Sequence, residues 1–116
     1  MSDDKHGNET PEHALVKAML YDALVRRGRK VKKELSVPSM LEFGREWVID
    51  VADVTDPAHH VYYEVQRGPN QSFRDKQLAF ARATGKDLVP VYIDDIPSDL
   101  LENVMQVRQW VEERVM

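Results

Sequence analysis

Residues 47–54 read Trp-Val-Ile-Asp-Val-Ala-Asp-Val, and residues 61–66 read Val-Tyr-Tyr-Glu-Val-Gln. Each is a short apolar run carrying acid, and Asp56, Pro57 and Ala58 between them supply a turn. Paired as an antiparallel hairpin with Asp50 opposite Glu64, the runs close through a loop of about three residues, one of the common hairpin lengths. Directly opposed side chains on such a pair have Cβ atoms roughly 4.5–5.5 Å apart, where like charges repel. A purely structural hairpin tends to avoid that pairing. A divalent cation between the carboxylates turns the repulsion into ligation, because hard cations such as Mg²⁺ take oxygen ligands. Alternation puts Trp47, Ile49, Val51 and Asp53 on one face and Val48, Asp50, Ala52 and Val54 on the other. In the second run Tyr62, Glu64 and Gln66 lie together, opposite Val61, Tyr63 and Val65. A slip of one residue would exchange Asp50 for Asp53.

Residues 1–9 are polar and without apolar periodicity, the composition expected of a disordered leader. Thr10 then offers an N-cap and Pro11 a first helical residue. Leu15, Val16, Met19, Leu20, Ala23 and Leu24 recur at helical spacing up to a stop at Gly28. From 29 to 37 the chain alternates as a lysine-bearing strand suited to a sheet edge, ended by Pro38 and Ser39. Downstream of the hairpin, residues 67–72 break the extended pattern. Asn70 or Ser72 caps a second helix through Phe73, Gln77, Phe80 and Ala81 to Thr84, with Gly85 as its stop. Residues 88–93 form a short apolar strand, expected parallel to its predecessor because a helix intervenes, and Pro90 places it at an edge or a bulge. Ser98 is the expected cap of a last helix striped by Leu100, Val104, Val107, Val111 and Val115. The predicted fold class is α/β, in the order αβββαβ: a mixed four-stranded sheet flanked by helices, plus a C-terminal helix. Residues 10–116 form a single domain.

At 116 residues the chain is long enough for its own core. The absence of cysteine excludes disulfides, thiolate zinc sites and cysteine nucleophiles. No apolar run reaches membrane-spanning length and the first residues lack a signal-peptide core, so no membrane partner and a cytoplasmic location are expected. The formal net charge of −4 hides segregation. Arg26, Arg27, Arg29, Lys30, Lys32 and Lys33 stand together without an acid, and Arg67, Arg74, Lys76, Arg82 and Lys86 are opposed by Asp75. Phosphate affinity follows the local field of such clusters, so nucleic acid remains an eligible ligand.

The succession Glu12, Gly28, Asp50, Glu64-Val65-Gln66, and a helix leading from Gln77 into the strand that ends at Ile93 resembles the PD-(D/E)XK nuclease superfamily. The likeness is closest to small archaeal Holliday-junction-resolvase-like members and to Glu-x-Gln variants of the competence-protein type, and it spans residues 10–94. The resemblance implies a nuclease in which Asp50 takes the place of the family's Asp, Glu64 that of its Asp/Glu, and Gln66 that of its Lys. Glu12 stands for the extra helix acid of some members. No Pro precedes Asp50, and Gln replaces Lys.

On that reading Asp50 and Glu64 hold Mg²⁺ or Mn²⁺, with the Val65 carbonyl as third ligand. Gln66, an uncharged amide with one acceptor and two donors, orients water or phosphate. Lys33 or Lys76 supplies the missing cation in space. Arg26, Arg27, Arg29, Lys30, Lys32, Lys33, Arg67, Arg74 and Lys76 grip the backbone of DNA, RNA not being excluded, by charge and shape rather than base sequence. A homodimer follows from the resemblance, with the 100–115 helix as its candidate interface. The bland readings are solvated carboxylates, a helix-dipole role for Glu12, exposed turn histidines at His59 and His60, and a solvated helix histidine at His13. Two other functions stay open: a nucleic-acid-binding module without activity, and an interaction protein that binds no nucleic acid.

Overall fold

The computed structural model describes residues 10–97 and 102–115. Thr10 accepts a hydrogen bond from the His13 N–H and opens helix α1 (Pro11–Arg26), with Pro11 in the first turn, where its missing N–H costs nothing. Strands β1 (Val31–Pro38), β2 (Glu46–Asp53) and β3 (Val61–Gln66) follow as an antiparallel meander. Asn70 caps helix α2 (Gln71–Thr84), and Gly85, at φ 73°, ends it in the left-handed conformation that glycine tolerates best. Strand β4 (Leu88–Tyr92) pairs parallel to β3, a 3₁₀ turn covers Ile93–Asp95, and helix α3 (Val104–Glu112) closes the described chain.

The sheet order is β1-β2-β3-β4. The α/β layout expected from the sequence is therefore present, with β1 and β4 at the edges. Pro90 sits on β4, where an edge strand tolerates a missing donor. The α1 side of the sheet is covered by Val16, Leu20 and Leu24 together with Val107, Trp110 and Val111 of α3, all packed on Val51, Tyr63, Val65 and Val91. On the other side Phe73 and Phe80 of α2 pack on Ile49, Ala52, Tyr62 and Leu88. Phe80 lies edge-on to both Trp47 and Tyr62, with ring centroids 5.8 and 5.7 Å apart. Both Tyr62 and Tyr63 are core residues.

Four details depart from the sequence reading. The β2–β3 connection occupies residues 54–60 rather than about three, because pairing ends at Asp53↔Val61. Asp53 is 4% exposed and turns inward to collect the Thr55 N–H and hydroxyl at 3.0 and 2.6 Å, with Arg29 at 3.4 Å, so the strand ends in a clamped loop. β1 begins two residues later than expected, at Val31. The last described helix starts at Val104 under an Asn103 cap, whose side chain accepts from Met105 and Gln106; Ser98 and Leu100 lie outside the described residues. Of its stripe, Val107, Val111 and Val115 are buried in this chain's own core and Val104 is exposed, so the apolar face predicted as a dimer interface is already covered.

The fourth departure shapes the site. Trp47 and Ile49 face α2, yet Val51 faces α1 and Ala52 faces α2 again, so strict alternation slips at Asp50. On β1 the same slip occurs: Val31 packs on the α1 side, Leu35 and Val37 on the α2 side. The residue between them, Glu34, has φ 54°, the one left-handed non-glycine among the described residues. Lys33↔Val51 and Leu35↔Ile49 keep one register across the defect, because both strands reverse phase together. Such paired irregularities bend a sheet and re-aim the side chain at the break, here Asp50.

Candidate metal and nucleic-acid site

The β2–β3 register places Asp50 next in line to meet Glu64, but the ladder stops one step short, at Val51↔Tyr63. Side chains take over from backbone there. The Val65 N–H donates to Asp50 Oδ2 at 2.9 Å, and the Asp50 N–H points to Glu64 Oε1 at 3.4 Å. The carboxylates thus substitute for ladder partners of the splayed strands, which satisfies buried donors that would otherwise be costly.

Helix α1 supplies the next layer. His13 and Lys17 stand one turn apart on the face that carries Val16 and Leu20, so both look onto β2 and β3. The His13 Nε2–H donates to the Val65 carbonyl at 3.0 Å and lies 3.5 Å from Asp50 Oδ2. Since a carbonyl only accepts, Nε2 carries the proton in this arrangement. Lys17 pairs with Glu34 at 3.6 Å and adds positive potential at Asp50. Helix α2 contributes from the opposite side: Lys76 forms an ion pair with Glu64 Oε2, and Glu64 is 5% exposed.

The two carboxylates are driven apart in acidity. Burial works against the charge on Asp50, but the His13 ring, the Val65 N–H and Lys17 outweigh it and hold its pKa below the usual aspartate value. Burial, reinforced by the Asp50 charge, pushes Glu64 above the usual glutamate value, and Lys76 and the Asp50 N–H offset this only in part.

The Val65 carbonyl oxygen and Asp50 Oδ2 lie 3.0 and 3.5 Å from His13 Nε2. Donors that share one small divalent cation stand about 3 Å apart, so the two separations from Nε2 are of the size such a set would have. Glu64 is not among them, being turned to Lys76. Among the described residues no three His, Asp or Glu side chains gather where a metal could be held, so a carbonyl has to complete the set. Gln66 ends β3, half-buried beside Tyr92. Glu12 is turned to Arg67 at 3.6 Å, and Arg67 also meets Asp94 at 3.8 Å. His13, one position on, is the residue that reaches Asp50.

The basic run divides. Arg26 pairs with Asp22 at 3.1 Å and Glu112 at 3.7 Å, while Arg27 donates to the Val115 and Glu112 carbonyls at 2.6 and 2.7 Å. These two arginines fasten α1 to the end of α3, about 20 Å along the helix from His13 at 1.5 Å per residue. Arg29 serves Asp53. Lys33 lies over the Tyr21 ring at 4.7 Å, and Lys30, Lys32 and Arg74 are exposed. His59 is exposed beside Asp56, and His60 Nδ1 is 3.1 Å from the Tyr62 hydroxyl, away from the carboxylates. Among the described residues no helix is long and apolar enough to cross a membrane. No family model, curated protein or solved structure matches the chain.

Proposed function

We propose that this chain is a metal-dependent nuclease that hydrolyses DNA phosphodiester bonds, reading backbone and shape rather than base sequence, on a PD-(D/E)XK-like plan. The observation that carries this reading is the defect at Asp50, where a carboxylate, a carbonyl and an imidazole nitrogen meet within 3.5 Å between two lysine-bearing helices. Asp50 and the Val65 carbonyl would hold Mg²⁺ or Mn²⁺, joined by His13 through Nε2 once its proton sits on Nδ1. Glu64 would be the second carboxylate, with Lys76 as its present ion-pair partner. When bound, the cation supplies Lewis acidity toward the phosphoryl group and a more acidic water.

The chain's own groups do the rest. Lys76 takes the place in space of the lysine that Gln66 lacks, and its ammonium offsets charge that grows on the phosphate. Gln66 offers an amide to orient the attacking water. Glu12 acts through Arg67, which it and Asp94 hold beside the end of β3. Arg67, Arg74, Lys30, Lys32 and Lys33 are the backbone contacts. RNA fits the same contacts.

One observation favours a second reading, a nucleic-acid-binding module without hydrolysis: Glu64 is held by Lys76 and not aimed at the Asp50 cluster. Incubating branched, single-stranded and duplex DNA with the protein and Mn²⁺ separates the two. The nuclease reading expects cleavage that Asp50→Ala abolishes; binding with no cleavage of any substrate leaves the module.

A further inference from the structure

We propose that the groove beside β1 is a binding site for a small molecule with an apolar body and a single carboxylate, which it seats on Lys86. The groove has a volume of about 440 Å³, within the range of pockets that take small ligands. It shares no lining residue with the Asp50–Glu64 site. Four separate segments build it: Leu35 and Val37 from β1, Met40 from the loop that follows, His60 and Tyr62 from the entry to β3, and Lys86 from just beyond α2.

These segments are already tied together. The Met40 N–H donates to the Ala83 carbonyl at 2.7 Å, which fastens the end of β1 to the end of α2. Tyr62 is buried edge-on to Phe80, with ring centroids 5.7 Å apart, and its hydroxyl lies 3.1 Å from His60 Nδ1. Thr84, also in the lining, is buried; its hydroxyl donates to the Phe80 carbonyl at 2.7 Å and accepts from the Lys86 N–H at 3.2 Å. Walls fixed in this way need little further ordering when a ligand enters.

The chemistry of the lining selects the ligand. Leu35, Val37 and Met40 offer apolar side chains, so the body of the ligand has to be apolar. The polar groups gather around Tyr62, with His60 on its hydroxyl and Lys86 Nζ over its ring, 6.0 Å from the centroid. No carboxylate lines the groove, and Lys86 forms no ion pair among the described residues. One ammonium beside an apolar wall therefore calls for one negative charge, and an apolar body that sheds water from the groove strengthens the pair. The Tyr62 hydroxyl is a further donor, and a carboxylate only accepts.

Titration with naphthoate and with its neutral analogue naphthamide, followed by calorimetry and by backbone amide NMR, tests this. Naphthoate is expected to bind with a Kd below about 1 mM and with shifts centred on Val37, Met40, Tyr62 and Lys86, and naphthamide about tenfold more weakly. Lys86→Met keeps the apolar stem and should remove that preference. Met40→Asp, a change at an exposed position, should weaken naphthoate by about tenfold through charge repulsion. No readout involves metal or nucleic acid, so the outcome is independent of the nuclease reading. Absence of saturable naphthoate binding overturns the proposal. So do equal affinities for acid and amide, shifts centred on another surface, or a preference that survives Lys86→Met.

Discussion

The Val65 N–H donates to Asp50 Oδ2 at 2.9 Å, standing in for the ladder bond that β2 and β3 do not make beyond Val51↔Tyr63. One carboxylate therefore has two duties, closing a backbone gap and presenting its charge to His13. Asp50→Asn keeps an oxygen for the N–H and removes the charge, whereas Asp50→Ala removes both. The expected result is that Asp50→Asn loses Mn²⁺ affinity and cleavage yet stays near wild-type stability in urea. Asp50→Ala should lose the same functions and in addition about 1–3 kcal/mol, the cost of an orphaned buried donor.

Asp53, three residues on, separates structure from chemistry. It is buried and committed to Thr55 and Arg29, far from the Val65 carbonyl. Asp53→Ala should destabilise the chain by several kcal/mol at most, as loss of a buried hydrogen-bonded charge does, through fraying of residues 54–60. Mn²⁺ affinity per folded molecule should be unchanged in a titration followed by electron paramagnetic resonance. Lost metal affinity in folded Asp53→Ala would move the site to the wrong aspartate.

The opposite pKa shifts of the pair give opposite pH signatures. Asp50 is depressed in the folded state, so its contribution to stability is present above the ordinary aspartate pKa and is lost as pH falls through the lower folded value. Glu64 is raised, so its contribution is present below the ordinary glutamate pKa and is lost as pH rises through the higher folded value. Glu64→Gln, which cannot ionise, should gain stability relative to wild type as pH climbs from the acid range toward neutrality. Urea unfolding at closely spaced pH values reads this difference; a difference that does not change with pH would remove the buried-charge account of Glu64.

Lys76 is the group that tempers that burial. Its removal as Lys76→Ala leaves Glu64 with the desolvation and with the Asp50 charge, so the carboxyl should hold its proton to higher pH. On the proposed mechanism two effects follow: cleavage falls by about a hundredfold, the scale of losing one preorganised charge, and the acid limb of the pH–rate profile moves upward. A loss of rate with an unmoved acid limb would assign Lys76 to phosphate contact alone.

Local signals made the fold legible and left the site half-read. Thr10-Pro11 and Gly85 mark helix ends through backbone chemistry that needs no tertiary context, and both fell where expected. Asp50 and Glu64 were visible as acids inside apolar strands. What brings them together was not, because the phase reversal needs Glu34 in a left-handed conformation that nothing about a glutamate announces. His13 and Lys17 had a readable sign, since they continue the Val16–Leu20 face toward the helix start, yet whether such positions are solvated depends on what the sheet places beneath them. Arg27 read as part of a free basic cluster because its partners, the Glu112 and Val115 carbonyls, are more than eighty positions away, whereas Arg26 had a readable partner in Asp22, one helical turn back.

That division of the basic run makes the last prediction. Lys32 is exposed on edge strand β1 and Arg74 on α2, whereas the Arg27 guanidinium is spent on the α3 carbonyls. If DNA contacts the exposed set, Lys32→Ala should weaken binding and lower the slope of log affinity against log salt by about 0.9, the share of one phosphate contact. Its urea midpoint should not move. Arg27→Ala should do the reverse: it unties α1 from α3 and loses about 0.5–1.5 kcal/mol for each of its two hydrogen bonds, one partly buried and one exposed, with the salt slope retained. Fluorescence anisotropy of labelled DNA across a salt series, paired with unfolding curves, measures both. A salt slope that falls for Arg27→Ala and not for Lys32→Ala would place the DNA at the α1–α3 end, far from His13, and would separate the nucleic-acid surface from the carboxylate pair.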